Sequence, residues 1–271
     1  MRSIARPLLV LHPDTRLRER VRRAAGRGFE WHEPEDWEAL REATRSAPPA
    51  AVVVVDPYFG SDRELSPALR SFLWEYPSVT VVAATQIRGD RYRDLRALGS
   101  WGVADVIGIG EDDTPDAIAR RLRSVQGRPL QSLLERSLPP SMGGQARSLL
   151  AAAAAVVTTG GAALEMARAL YLSPRTLLRW CEKGGLPPPR RLLVWMRILL
   201  AAELLDDPGR TVASVAHACG YSSDNALRRT LQDVLNTTPT ELRARGAFQV
   251  AAAGFVEELR RWETGPRARP A

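Results

Sequence analysis

The chain has 271 residues, 45% apolar and 25% charged, with a formal net charge of +7. This is the composition of a folded globular protein, and it excludes a disordered or collagen-like chain. The longest apolar run, LLAAAAAVV at 149–157, falls short of the roughly 18 residues that a membrane-crossing helix needs. Two ordinary domains fit the length, and the apolar stretch before His12 is too short for a signal peptide, so a cytoplasmic protein without membrane contact is expected. Cys181 and Cys219 show no metal or redox spacing and read as small buried hydrophobes. The charge is divided unevenly. Residues 1–127 hold 19 arginines against 19 acids, whereas residues 128–271 hold 18 arginines and one lysine against 12 acids. A neutral half joined to a basic half predicts that only the second meets a polyanion.

In chain order, PLLVLH (7–12) reads as a buried strand, followed by a helix that starts near Asp14 and Thr15. WHEPEDWEAL (31–40) spans a short edge strand and the next helix. AAVVVVDPY (50–58) is a β-branched run of the kind found in central parallel strands. SVTVVAAT (78–85) is a further strand, GVADVIGIG (102–110) contains another, and DAIARRLRSV (116–125) closes the domain. The helical stretches SPALRSFLWEY and RDLRALGSWG lie between them. Strands alternating with helices predict a doubly wound parallel sheet covered on both faces.

Over about 120 residues this order resembles the receiver domain of two-component response regulators, with Asp56 at the phosphoacceptor position. The resemblance implies an acidic pair, a hydroxyl residue and a lysine around that aspartate. Here those places hold His12 and Pro13 with Asp14 beside them, Ala83 or Ala84, and Ile109. Phosphoryl transfer needs metal and cation to offset charge on the transferring group, so a degenerate receiver-like module is expected. A response regulator phosphorylated at Asp56 by a histidine kinase is the alternative. His12 and His32 have no third partner that would suggest a metal site, and no cofactor is expected.

Pro139-Pro140 and Gly143-Gly144 mark a seam, and LQSLLERSL before them suits a short amphipathic helix, either a spacer or a dimer contact. Beyond 145 the pattern is helical. QARSLLAAAAAVVTT leads into ALEMARALYLSPRTLLRWCEK (163–183), where Leu164, Ala167 and Leu170 recur at helical spacing. Ser173 as N-cap and Pro174 at the first helical position then start a second helix. It buries Leu177, Trp180 and Cys181 and leaves Arg175, Thr176 and Arg179 on its other side. A long helix over RRLLVWMRILLAAELLDD (190–207) follows. About fifty residues on, the scheme repeats. Val212, Val215, Ala216 and Cys219 share a face, Gly220 ends the helix in a left-handed turn with Tyr221 packed over it, and Ser222 or Ser223 caps the next helix. That helix buries Leu227, Leu231, Val234 and Leu235, and its exposed turns carry Asp224, Asn225, Arg228 and Arg229. Two helix-turn-helix units held by one rigid helix can reach successive major grooves.

Across roughly residues 145–246 the chain resembles the AraC/XylS family of transcription regulators. ACGYSS, Leu227, Arg229, Leu231 and TTPTELR (237–243) follow the second-motif pattern, RILLAAELL the linking helix and LSPRTLLRW the first motif. Leu227, Leu231, Asn236 and Leu242 depart from the family's two phenylalanines, glycine and tyrosine. The resemblance implies contact with double-stranded DNA through Ser173, Arg175, Thr176, Arg179, Ser223, Asp224, Asn225, Arg228 and Arg229. It also admits RNA polymerase as a partner and a homodimer through the receiver-like domain or the linker. Arginines suit guanine or phosphate and Asn225 suits adenine, although most charged helix faces serve only as solvated surface.

The expected organisation is a receiver-like domain at 1–126, a linker at 127–144, a DNA-binding domain at 145–248, and a C-terminal helix and tail at 249–271, with RWETGPRARPA frayed. No catalytic activity is expected. An enzyme built on the α/β domain lacks a glycine-rich phosphate loop or a nucleophile–base pair. An architectural DNA binder would differ by its low specificity ratio.

Overall fold

The computed structural model describes residues 6–61, 64–87, 89, 92–126, 128–138, 142–158 and 161–264. Pro139-Pro140 and the tail beyond 264 lie outside the described residues. The chain divides into two compact units, one of residues 1–129 with 207–214 and one of 130–206 with 215–271.

The first unit alternates strand and helix: β1 Arg6–Leu11, α1 Thr15–Ala25, β2 Phe29–His32, α2 Trp37–Arg45, β3 Val52–Val55, α3 Pro67–Glu75, β4 Thr80–Thr85, α4 Tyr92–Trp101, β5 Asp105–Gly108 and α5 Pro115–Gln126. All neighbouring strands pair in parallel, in the order β2-β1-β3-β4-β5. This is a receiver-like α/β fold. Side chains alternate across a strand, and both faces of the sheet are dry. Leu9, Leu11, Val53, Val55, Val81 and Ala83 face Leu40, Leu69, Phe72, Tyr76 and Leu98 of the α2–α4 side. Leu8, Val10, Val52, Val54, Val82 and Ala84 face Leu17, Val21, Ile118 and Leu122 of α1 and α5. Burial on both faces explains why β3 is an unbroken valine run.

The second unit is helical: α6 Arg128–Ser137, α7 Gly144–Thr158, α8 Ala163–Ala169, α9 Pro174–Lys183, α10 Pro189–Leu205, α11 Val212–Ala218, α12 Asp224–Leu235, α13 Pro239–Ala244 and α14 Ala247–Thr264. The first residues of α11 belong to the first unit. α10 forms the axis of the second unit and is buried over most of its length. α7 and α14 pack along it, and Trp195 meets Phe255 at a ring separation of 5.6 Å. Two local expectations need correction. α10 ends at Leu205 instead of 207, because Pro208 disfavours the helical conformation at Asp207 and has no N–H to continue the helix. In α8, Leu164 is 46% exposed, and Met166 and Ala167 are the buried pair.

Candidate nucleic-acid interface

The two helix pairs of the basic half are built by the same local rules. In the first, the N–H of Leu172 returns to the carbonyl of Ala167 at 2.8 Å, and Tyr171 takes the left-handed conformation at φ +55. In the second, the N–H of Tyr221 returns to the carbonyl of Ala216 at 2.9 Å, and Gly220 sits at φ +72. Both are helix ends closed by a left-handed residue. Glycine adopts that conformation freely, whereas tyrosine pays a steric cost for it. Tyr171 is also 97% exposed. The expectation of a break near Leu172 and Ser173 missed this strained tyrosine, because a left-handed φ at a non-glycine residue leaves little mark in sequence.

Each second helix then starts on a serine. Ser173 Oγ accepts the N–H of Thr176 at 3.1 Å, with Pro174 at the first helical position. Ser223 Oγ accepts the N–H of Ala226 at 3.2 Å. Counted from these caps, the helices carry the same plan. Leu177 and Leu227 are buried four positions on, Cys181 lies eight positions on in α9 and Leu231 in α12, and Arg179 and Arg229 are exposed at six. The buried pair fixes one face of each helix, so the arginine at equal offset projects from the same opposite face. Trp180, Val234 and Leu235, expected in the core, are only half-buried. Asn236 caps α12 in the left-handed conformation at φ +50. Thr238 and Glu241 form a capping box on α13.

The remaining candidates fall on these two helices in two separate groups. Arg175 is exposed on α9, and Asn225 and Arg228 are exposed on α12. Ser173 and Thr176 share a hydrogen bond at 2.9 Å, so both hydroxyls already serve the cap. Asp224 lies 3.6 Å from Arg228 on the same helix, with both side chains nearly half exposed. Behind α12, the ring of Tyr221 stacks 5.8 Å from the Arg197 guanidinium of α10. Cys181 and Cys219 are buried as expected and form no disulfide, and burial pushes the Cys181 thiol up to about 11. His217 is exposed.

In the first unit, His12 and Asp56 stand at the carboxyl ends of adjacent strands, with the Asp56 N–H donating to Leu11 O at 2.9 Å. His12 is buried. Its Nδ1 accepts the Asp14 N–H at 3.0 Å, which leaves Nε2 to donate to the Ala84 carbonyl at 3.2 Å. Both ring nitrogens are therefore satisfied in the neutral form. Desolvation lowers the His12 pKa, against the pull of the Asp56 charge. Burial pushes Asp14 up, but the N–H groups of Arg16 and Leu17 outweigh it and hold the carboxyl below its ordinary value. Asp14 Oδ1 is spent as the N-cap of α1, at 2.8 Å from Arg16 N. Asp56 Oδ1 accepts the Tyr58 N–H at 3.0 Å. These residues do not fit the divalent cation that a working receiver binds: the position of the acidic pair holds an imidazole tied at both nitrogens, and the one retained carboxylate caps a helix. A cleft of about 400 Å³ opens beside His12, between Arg18, Glu33, Glu35 and Phe59.

Residues 166–245 match the family model described as a helix-turn-helix domain. The comparisons with curated proteins and with solved structures found no match. The matched stretch begins within α8 and contains the whole of α9, α10, α11, α12 and α13. It supports a DNA-binding helix-turn-helix domain of the AraC type over these residues of the basic half. Among the described residues no helix is long and apolar enough to cross a membrane.

Proposed function

Starting from an AraC-type helix-turn-helix domain over 166–245, we propose that the chain is a sequence-specific transcription regulator whose receiver-like domain works without phosphorylation. The observation that carries this reading is the equal placement of Arg179 and Arg229, each exposed six positions after a capping serine on a helix anchored by a buried leucine. Two such helices on one buried axis suit two successive major grooves. Arg179 and Arg229 are assigned to base edges, as guanine readers, and Asn225 to adenine. Arg175 and Arg228 hold phosphate, the N-terminal turns of α9 and α12, with Ser173, Thr176 and Ser223, approach the backbone, and Asp224 beside them restrains Arg228. DNA-bound, such a regulator acts on RNA polymerase. Self-association through the receiver-like domain or the 127–144 stretch would double its phosphate contacts. The domain boundaries expected from sequence, with DNA binding in 145–248 and regulation in 1–126, belong to the same reading.

Phosphorylation independence rests on the tied imidazole of His12 and the capping role of Asp14. Neither residue can neutralise charge on a transferring phosphoryl group, and Ala83, Ala84 and Ile109 supply no hydroxyl or cation. A gene-regulatory, cytoplasmic role without cofactor or catalysis follows from this reading. The test is selection of bound duplexes from a random pool by the full chain. Enrichment of one motif with two half-sites about 10 base pairs apart supports it. A pool that stays random overturns it.

A further inference from the structure

The first unit includes eight residues from far along the chain, 207–214. Asp207 and Arg210 form an ion pair at 3.0 Å with side chains 1% and 0% exposed. The Ser78 N–H donates to Asp207 at 3.0 Å, and the Ser78 hydroxyl donates to its other oxygen. Arg210 Nη1 donates to the carbonyls of Arg45 and Ala47, both at 2.9 Å, at the end of α2. Its guanidinium lies 5.9 Å from the centre of the Tyr76 ring. The Tyr76 hydroxyl donates to the Gly209 carbonyl at 3.3 Å, and the Gly209 N–H donates to Glu75 O at 3.0 Å. A Cβ on Gly209 would stand 2.5 Å from Tyr76 Cζ, so only glycine fits under the ring.

An exposed Asp-Pro-Gly turn needs none of this. Burying a charge pair is costly unless each charge is closely matched, and removing one partner leaves the other unpaired in a dry site. The segment is therefore held firmly or released altogether, with little between. Its position in the chain gives that property a consequence. Asp206, one residue earlier, belongs to the second unit, and Val212–Ser214 open α11, whose remaining residues do too. The gripped segment is the lead-in to the second helix-turn-helix.

We propose that residues 207–210 are a coupling latch: the socket formed by Arg45, Ala47, Tyr76 and Ser78 holds the entry to α11, so that opening the socket loosens α11 and α12 and weakens DNA binding by the second motif. Only the last clause rests on the DNA-binding reading. A partner or ligand that displaces Tyr76 or Ser78 in the α/β unit would thereby act on the second motif alone.

Amide hydrogen exchange with mass spectrometry on the full chain tests the latch, using the parent, Arg210→Ala and the milder Tyr76→Phe. In the parent, peptides over 207–214 are expected to exchange as slowly as those over β3. Arg210→Ala is expected to speed exchange over 207–214 on the order of a hundredfold, with a rise over 212–235, while β1 and β3 stay protected. Tyr76→Phe gives the same pattern, smaller. Should Arg210→Ala also unprotect β1 and β3, it has unfolded the unit and Tyr76→Phe decides. Fast exchange over 207–214 in the parent overturns the proposal, as does release of that segment with no change over 215–235. A parent that shows the latch but binds no selected duplex would instead sink the DNA-binding reading, since the exchange result does not depend on DNA.

Discussion

Asp206 and Asp207 are consecutive residues whose carboxylates serve different units. Asp206 accepts the N–H groups of Ala247 at 2.7 Å and Phe248 at 2.9 Å, opening α14. Asp207 accepts from Ser78 and from Arg210 in the first unit. Pro208 disfavours helix at the residue before it, so the helix expected to run through 207 stops at Leu205 and the two carboxylates that follow part company.

The pairing of Arg228 with Asp224 at 3.6 Å bears on DNA affinity. Arg228 must leave this exposed pair to reach a phosphate, and such pairs are worth little, about 0.3–0.5 kcal/mol on a helix. Asp224→Ala is therefore expected to raise affinity for all duplexes slightly and evenly. Arg228→Ala should weaken binding evenly and reduce the salt slope by about one. Arg229→Ala should instead cost about 1–3 kcal/mol of discrimination at one base pair. Fluorescence titrations on matched and single-mismatch duplexes separate these outcomes. Equal losses on every duplex for Arg229→Ala would remove it from base readout.

Tyr171 carries a left-handed backbone that the second motif assigns to Gly220. Tyr171→Gly removes that strain at some cost in unfolded-state entropy. A net gain of about 0.5–1 kcal/mol is expected in urea unfolding. Because the ring is 97% exposed, no core contact is lost. A destabilised variant would show that the entropy glycine adds to the unfolded chain outweighs the strain at Tyr171.

Stability of the first unit is expected to depend on pH through His12. Its folded pKa is lowered, chiefly by desolvation, whereas in the unfolded chain it titrates near its ordinary value of about 6.5. Between those two values the unfolded chain binds the extra proton, so stability falls as pH drops below about 6.5 and is regained above it. The slope is at most about 1.4 kcal/mol per pH unit for one proton. His12→Asn keeps an acceptor for the Asp14 N–H and abolishes this component. Urea titrations of both proteins between pH 5 and 8 measure it, and parallel curves would assign the dependence elsewhere.

Asp56 is expected to remain unmodified when the chain is treated with acetyl phosphate and Mg²⁺, and Asp56→Ala should bind DNA as the parent does. Intact-mass spectra give the answer directly. A phosphoryl adduct present in the parent and absent in Asp56→Ala would establish the phosphorylated response regulator instead.

What sequence revealed was local or periodic. The valine run of β3, the serine cap at 173 and one at 222 or 223, the left-handed Gly220, and the buried Leu177, Leu227 and Leu231 each follow from a short pattern with one physical cause. What it hid was non-local. Nothing around Arg210 distinguishes an arginine buried among carbonyls from one on a surface, because its partners Arg45, Ala47 and Tyr76 lie more than a hundred residues away. His12 likewise looks like a lost acidic residue until the Ala84 carbonyl, 72 residues on, is seen to fix its ring. Leu164 keeps helical spacing yet faces water, since periodicity identifies a face and not what covers it.

The most direct measurement of the central claim is the specificity ratio of the full chain at physiological salt, on the selected duplex against a shuffled one. The reading of α9 and α12 as base-reading helices predicts at least about a thousandfold preference for the selected site. It also predicts that Arg179→Ala and Arg229→Ala each erode that preference at separate positions about one helical turn apart. Equal affinity for both duplexes, left unchanged by either substitution, would contradict it.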